Sequence, residues 1–276
     1  MAFWTITAAL AASAAQAPPP PMLPVPDMEV SPEHAPAALD ALLAARDYMT
    51  LGKRIGEVSR QPDLVSDLAW LRDRTLEGNS AFVAMLYSRL LWTAAGGLPE
   101  EPQRDWRQTA ATMTLYAQAA IMVDGQRCGD RSAPANRSQQ LLGWNREIWP
   151  FIGSLGAEER QRLVDLAVLL EARTAARRDA AGDVDFLCRG GMEEIQYNLV
   201  HGTSREEAPR PGVFGRQIVL EGDGKYKPSE RPQAEWSGGA AKVRPTLSAG
   251  LAAMTDTVAR HRSDADTGKS GQDPRR

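Results

Sequence analysis

The sequence predicts an all-α fold: a single irregular bundle of about six or seven helices with one disulfide and a largely disordered C-terminal tail. Apolar residues recur at helical spacing from about residue 31 to 200 without a convincing two-residue alternation, and the 276-residue chain contains two cysteines. Prolines and glycines become frequent after residue 200. We therefore divide the chain into a signal-peptide-like segment at 1–17, a proline-rich linker at 18–30, a helical domain at 31–200 and a low-order tail at 201–276.

The N-terminal segment resembles a signal peptide in its length and in its small residues. Residues 2–15 are apolar and uncharged over a length too short to span a bilayer, and Ala12 and Ala14 form a small-residue cleavage pattern. No lysine or arginine precedes the apolar run, which departs from the usual pattern. We expect export to the periplasm or secretion, and a cytoplasmic location is the alternative if the segment is not a signal. The run PPPPMLPVP that follows predicts an extended spacer.

Helix-capping residues and proline breaks locate the helices of the predicted bundle. Ser31 followed by Pro32 favours a helix start, and Gly78 favours a helix end. The predicted helices run from 31 to the mid-40s and over about 62–78, 80–96, 102–123, 138–149, 157–177 and 191–199. We expect Pro150 to break or kink the chain after the fifth of them.

The segment 157–177 has the clearest helical pattern, and we expect it to be central. Glutamates in its first turn and arginines in its last turn complement the helix dipole. Its buried stripe is predicted to contain Leu163, Leu166, Ala167 and Leu170. The last predicted helix is expected to direct three apolar side chains inward: Met192, Ile195 and Leu199.

The region after residue 200 combines mixed charges with recurrent prolines, which predicts low order. Residues 217–221 favour one marginal hairpin at most. Within 246–260, four apolar residues recur at helical spacing and predict an amphipathic helix: Leu247, Leu251, Met254 and Val258. Disorder or loose docking on the protein's own core is the first interpretation, and docking on a partner helix or groove is the second.

The two cysteines, Cys128 and Cys188, each lie beside a glycine near a predicted helix end. In an oxidising compartment they predict a disulfide, which would close a loop of about 60 residues and constrain the unfolded chain by roughly 4 kcal/mol. The link would gather a set of charged residues: Asp124, Arg127, Asp130, Arg131, Arg137, Arg189, Glu193 and Glu194. The first interpretation is helix capping and ion pairing. The second is a polar site in which a carboxylate acts as acid or base and an arginine binds an anion.

The composition excludes several classes of function. A formal net charge of −3 without a block of basic residues does not favour binding of nucleic acid. The chain has no apolar run of about 18 residues, so the sequence predicts no membrane-spanning helix. Two cysteines and three histidines are too few for a four-ligand zinc site without carboxylates. We therefore expect no metal. The glycine spacings that bind phosphate groups are also missing, so we expect no cofactor. None of His34, His201 and His261 lies in a stretch expected to hold it beside a nucleophile, which argues against a histidine-based enzyme.

These patterns predict an exported, non-catalytic protein that acts in binding or in assembly of the cell envelope. Its expected partner is another envelope protein that contacts the C-terminal tail. One alternative is a hydrolase that acts on an envelope polymer through Asp or Glu near the Cys128–Cys188 link. A second alternative is a small-ligand carrier with a tryptophan-lined pocket between its helices.

Overall fold

The computed structural model describes residues 29–181, 184–207 and 216–270, so the signal-like segment and nearly all of the proline-rich linker lie outside the described residues. Its helices are α1 (Pro36–Ala44), α2 (Tyr48–Gly56), α3 (Gln61–Leu76), α4 (Ala81–Ala95), α5 (Glu100–Asp124), α6 (Ser132–Trp144), α7 (Ile148–Ser154), α8 (Ala157–Ala181), α9 (Asp185–Cys188), α10 (Met192–His201), α11 (Gln233–Val243) and α12 (Leu247–Ser270). Short 3-10 helices cover Pro32–His34, Gly125–Arg127 and Arg244–Thr246. The strands β1 (Thr203–Glu207) and β2 (Gln217–Glu221) pair antiparallel as a two-stranded ribbon.

The all-α prediction is confirmed, and the described residues contain more helices than the predicted number. The helix α1 ends in the mid-40s as predicted, and α2 is one of the additional helices. Between them Arg46 adopts a left-handed backbone conformation with φ 57° and turns the chain. Asp47 then caps α2, accepting a hydrogen bond from the Thr50 backbone N–H at 3.0 Å. Pro150 lies in the first turn of α7 rather than after a helix, a position where its missing N–H costs no helical hydrogen bond.

The core is built around α5, which packs between α4 and α8. Small residues such as Ala117 and Ala120 on α5 are fully buried, which allows its neighbours to approach closely. On α8, Leu163 and Ala167 are buried as predicted. Leu166 is 43% exposed, in contrast to the prediction, because it lies on the side of the helix that faces away from α5.

The C-terminal region departs from the predicted low order over 203–207 and 216–262, where the structure has the ribbon, α11 and most of α12. The predicted amphipathic helix at 246–260 is present in α12, which packs on α7 and α8. Its apolar stripe docks on the protein's own core: Leu247 and Leu251 are fully buried, and Met254 and Val258 pack against that core. A Cβ atom on Gly153 would lie 3.1 Å from Val258 Cγ1, so the glycine permits this close approach. The stripe is therefore occupied within the chain, and residues 271–276 lie outside the described residues.

Candidate functional site

The predicted disulfide between Cys128 and Cys188 is present, and both cysteines are buried. It joins the end of the 3-10 helix that follows α5 to the end of α9, across 60 residues of sequence. The segment 229–231 runs alongside this link, because the Gly129 N–H donates to the Ser229 carbonyl and the Arg231 N–H donates to the Arg127 carbonyl, each at 2.8 Å. The disulfide therefore lies at a junction of three chain segments.

Asp130 organises this junction by holding the starts of two helices. Its Oδ1 accepts hydrogen bonds from the backbone N–H and the hydroxyl of Ser132 at 2.8 and 2.6 Å, and its Oδ2 accepts the Glu193 N–H at 2.8 Å. Burial favours a higher pKa for Asp130, but these hydrogen bonds hold the pKa below its usual value. A Cβ atom on Gly191 would overlap the Asp130 carboxylate, so glycine is required there. Asp130 thus acts as a cap for α6 and α10.

Arg189 and Arg137 occupy the other side of the junction. Arg189 donates to Asp185 at 3.3 Å, to Glu194 at 3.0 Å and to the Tyr226 carbonyl at 2.7 Å. Glu194 also accepts the Gly190 N–H at 2.6 Å. Arg137 donates to the Phe186 carbonyl at 2.6 Å and stacks on the Phe186 ring, and burial lowers the pKa of Arg137. These contacts match the capping and ion-pairing interpretation.

The side chains of the remaining charged residues of the predicted polar surface make other contacts. Glu193 is exposed and accepts a hydrogen bond from the Ser229 hydroxyl at 2.9 Å. Arg131 is exposed and donates to the Gln126 side chain at 3.0 Å. Arg127 is buried, stacks on Trp236 at 4.8 Å and forms an ion pair with Glu230 at 3.8 Å. The predicted set is therefore divided between the junction, the surface and the interior, and its catalytic role stays a prediction.

Asp124 belongs to a buried network that the sequence analysis did not identify. Arg178 donates from Nε to Asp124 Oδ2 at 2.8 Å and from Nη2 to Glu171 Oε1 at 2.6 Å. The same guanidinium contacts Thr174, whose hydroxyl lies 2.9 Å from that of Tyr116. Burial raises the pKa of Asp124, and the ion pair with Arg178 opposes that rise. Every carboxylate of this network and of the junction thus has a cationic or hydrogen-bonding partner.

A second polar cluster surrounds His34, in the 3-10 helix ahead of α1. His34 is buried, and its Nδ1 lies 2.9 Å from Oδ2 of Asp67, which is fully buried on α3. Burial raises the pKa of Asp67 to about 6, against the hydrogen bond and charge of His34. His34 is therefore held beside a buried carboxylate, and this pairing is hard to detect from sequence because the two residues are 33 positions apart.

The segment that carries His34 is tied to α2 and α3 by polar contacts. Ser31 donates to Asp63 through its backbone N–H at 2.7 Å and through its hydroxyl at 2.9 Å. The Arg54 guanidinium donates to the Glu33 carbonyl at 2.9 Å. Next to these contacts is an open cleft of about 400 Å³, lined by Ser31, Glu33, His34, Thr50, Lys53, Arg54, Glu57, Val58, Ser59, Arg60 and Asp63.

The apolar face of α10 is exposed, although the sequence analysis expected it to face inward. Met192 is 53% exposed, Ile195 41%, Leu199 64% and Val200 75%. The helix packs against the β1–β2 ribbon, on which Ile218 is 61% exposed. Helical spacing predicts which residues share a face, but it does not predict whether another element covers that face.

The described residues contain neither a cluster of metal-binding side chains nor a helix suited to cross a membrane. Among residues 29–181, 184–207 and 216–270, no three His, Cys, Asp or Glu side chains are grouped so that they could hold a metal ion. None of the helices in those ranges combines the length and apolar character needed to cross a membrane. Comparison with known proteins finds no family model that matches the chain, and neither a curated protein nor a solved structure that matches it.

Proposed function

We propose that the protein is an exported, non-catalytic binding component of the cell envelope, which docks another envelope protein through the exposed face of α10 and the adjoining β1–β2 ribbon. We call this surface, defined by Met192, Ile195, Leu199, Val200 and Ile218, the α10 face. The single observation that carries the proposal is the exposure of these five large apolar side chains on adjacent elements.

The spacing of the apolar residues on α10 suits docking of a helix face against an apolar surface. Met192, Ile195 and Leu199 lie at positions i, i+3 and i+7, the pattern by which amphipathic helices bind a groove. The ribbon adds strand edges, because β1 and β2 pair only with each other among the described residues. A partner would bury the apolar side chains and satisfy the free strand edge together.

The charge around the α10 face favours a partner with a basic rim. The elements α10, β1 and β2 contain five glutamates, and Arg205 is the single lysine or arginine within them. Arg205 is already paired with Glu221 at 2.7 Å and with Glu207 at 2.5 Å. Arg189 and Arg216, outside these elements, pair with Glu194 and Glu206, and the surface still has more acidic than basic groups. A second copy of this chain or an anionic lipid surface would therefore meet like charge, whereas a protein with basic residues around an apolar patch would be attracted.

Export is supported by two features. The Cys128–Cys188 disulfide fits an oxidising compartment, and the apolar segment at 2–15 resembles the core of a signal peptide. N-terminal sequencing of the protein from its native host tests this part of the proposal. A mature chain that starts near residue 15–18 is expected. An intact N-terminus together with free thiols would contradict export.

Site-specific photo-crosslinking in the native host tests the docking. A photoreactive residue replaces Leu199, and in a matched control it replaces Leu166, which is 43% exposed on α8. We expect one reproducible adduct with another envelope protein from position 199 and none from position 166. The partner, once purified, should bind the wild-type chain about tenfold or more tightly than it binds Ile195→Asp, because the substitution places a charge on an apolar interface.

Binding by Leu166→Asp should equal that of the wild type, since Leu166 lies outside the α10 face. Adducts between two copies of this chain would assign the face to self-association and contradict the proposal. Lipid adducts, or equal labelling from positions 166 and 199, would also contradict it.

A further inference from the structure

We propose that the cleft next to His34 binds a small molecule through an anionic oxygen group, a carboxylate or a phosphate, and that His34 Nε2 contacts this group. The site is separate from the α10 face and does not depend on the proposed docking. Its volume of about 400 Å³ lies within the range of small-molecule sites.

Asp67 determines which nitrogen of His34 faces the ligand. Because Nδ1 is bound to Asp67 Oδ2 at 2.9 Å, Nε2 is the ring nitrogen left for a molecule in the cleft. Oδ1 of Asp67 is buried without a hydrogen-bond partner among the described residues, so His34 is the main compensation for this carboxylate. An aspartate behind an imidazole fixes the orientation of the ring, and Nε2 can donate to an anion when it carries a proton.

The cleft wall is rich in hydrogen-bond donors. Lys53 contributes an ammonium group that forms no ion pair with the described residues, and Arg54 has further N–H groups beyond the one bound to the Glu33 carbonyl. The hydroxyl groups of Thr50 and Ser59 line the same cleft. Such a set of donors complements the oxygens of a carboxylate or a phosphate.

The acidic residues of the wall do not offset these donors. Asp63 is engaged by both hydrogen bonds from Ser31 and lies 3.5 Å from Arg60. Glu33, Glu57 and Lys53 are all exposed, so water screens their charges alike. The less exposed groups of the wall with available N–H groups are Arg54 and His34. A cation in the cleft is disfavoured, because no three His, Cys, Asp or Glu side chains of the described chain are grouped to ligate one. The balance of available groups therefore favours an anion.

Nuclear magnetic resonance of the ¹⁵N-labelled full chain, with the disulfide intact, tests the site. The protein is titrated separately with sodium phosphate and with sodium succinate at constant ionic strength. We expect saturable shifts of the backbone amides of Ser31, His34 and Thr50 with at least one anion, at a Kd of about 1 mM. The anion that binds more tightly distinguishes a phosphate ligand from a carboxylate ligand.

Two variants assign the binding to this cleft. His34→Asn keeps an N–H that can donate to Asp67 and removes the nitrogen that faces the cleft, so it should weaken binding about tenfold. Lys53→Ala changes an exposed side chain and should weaken binding several-fold. The matched control Lys242→Ala, on the exposed surface of α11, should bind as the wild type does. Absence of saturable shifts with both anions, or wild-type affinity in both cleft variants, would overturn the proposal.

Discussion

Asp124 and Asp67 are both buried carboxylates whose pKa is raised by burial, but their surroundings differ. Asp124 is paired with the Arg178 guanidinium at 2.8 Å, and Arg178 also binds Glu171 and Thr174. Asp67 has a single partner, His34, and its second carboxylate oxygen has none among the described residues. A buried network compensated by arginine holds helices together, whereas a carboxylate compensated by one histidine at a cleft can take part in binding.

The surroundings of the two carboxylates explain this difference. The Arg178 network lies between α5 and α8, two long helices that pack in the centre of the molecule. The His34–Asp67 pair instead joins the start of the described chain to α3, beside the cleft. We therefore expect substitutions in the network to change stability and substitutions at the cleft to change ligand binding.

Arg178→Met is expected to have the largest effect on stability. Methionine fills part of the space of arginine but leaves Asp124 buried without its cation and leaves Glu171 with Arg244 alone, at 3.2 Å. Loss of one partner of a buried ion pair typically costs about 3–5 kcal/mol. Urea unfolding followed by circular dichroism measures the loss. The exposed Arg131→Met serves as the control and should change the free energy of unfolding by less than about 0.5 kcal/mol. Equal free energies of unfolding for the two variants would show that the Arg178 network does not stabilise the fold.

The spacing of residues along α8 gives a sequence indication of the Arg178 network. Leu163, Ala167, Glu171, Thr174 and Arg178 recur at spacings of three and four, so the buried stripe continues into polar residues. From sequence alone, the arginines at the end of α8 are interpreted as complements to the helix dipole, because a charged residue in the last turn of a helix is usually solvated. Periodicity predicts which face of α8 is buried. It does not predict the burial of Glu171 and Arg178, because that depends on partners from α5.

Removal of the disulfide is expected to have a smaller effect, of about 2–4 kcal/mol. The double variant Cys128→Ala, Cys188→Ala loses the constraint on the unfolded chain, while the hydrogen bonds of Asp130 and Arg189 still hold the junction. Thermal unfolding of the variant, and of the wild type with and without reductant, measures the change. The reductant should lower the melting temperature of the wild type and leave that of the variant unchanged. A loss larger than that of Arg178→Met would mean that the junction, and not the network, is the main support of the fold.

The disulfide was predictable because the chain offers a single pair of cysteines, whereas the other sites depend on contacts between distant segments. His34 and Asp67 lie on separate elements, and neither shows a local pattern that predicts the other. The sequence also could not predict that the apolar stripe of α12 docks on the core while the α10 face is exposed. Both helices have apolar residues at helical spacing, but α12 packs on α7 and α8 with Leu251 buried, whereas Leu199 is 64% exposed.

Asp67→Asn is expected to have the smallest effect, visible mainly in the pH dependence of stability. The raised pKa of Asp67, about 6 instead of 3.8, means that its contribution to stability is complete below about pH 4 and is lost as the pH rises through 6. Asparagine does not titrate and keeps an oxygen that can accept from His34 Nδ1. The free energy of unfolding of the wild type, relative to the variant, should therefore fall by about 2 kcal/mol between pH 4 and pH 7.

The change is smaller than burial alone would give, because several charges act on Asp67. His34 and Arg54 favour the ionised carboxylate, and Asp63 disfavours it. Urea unfolding at a series of pH values measures the difference, and the exposed Asp165→Asn, which should parallel the wild type, is the control. Parallel pH profiles for the wild type and Asp67→Asn would show that burial does not raise the pKa of Asp67. The contrast between the two carboxylates would then no longer distinguish the cleft from the core.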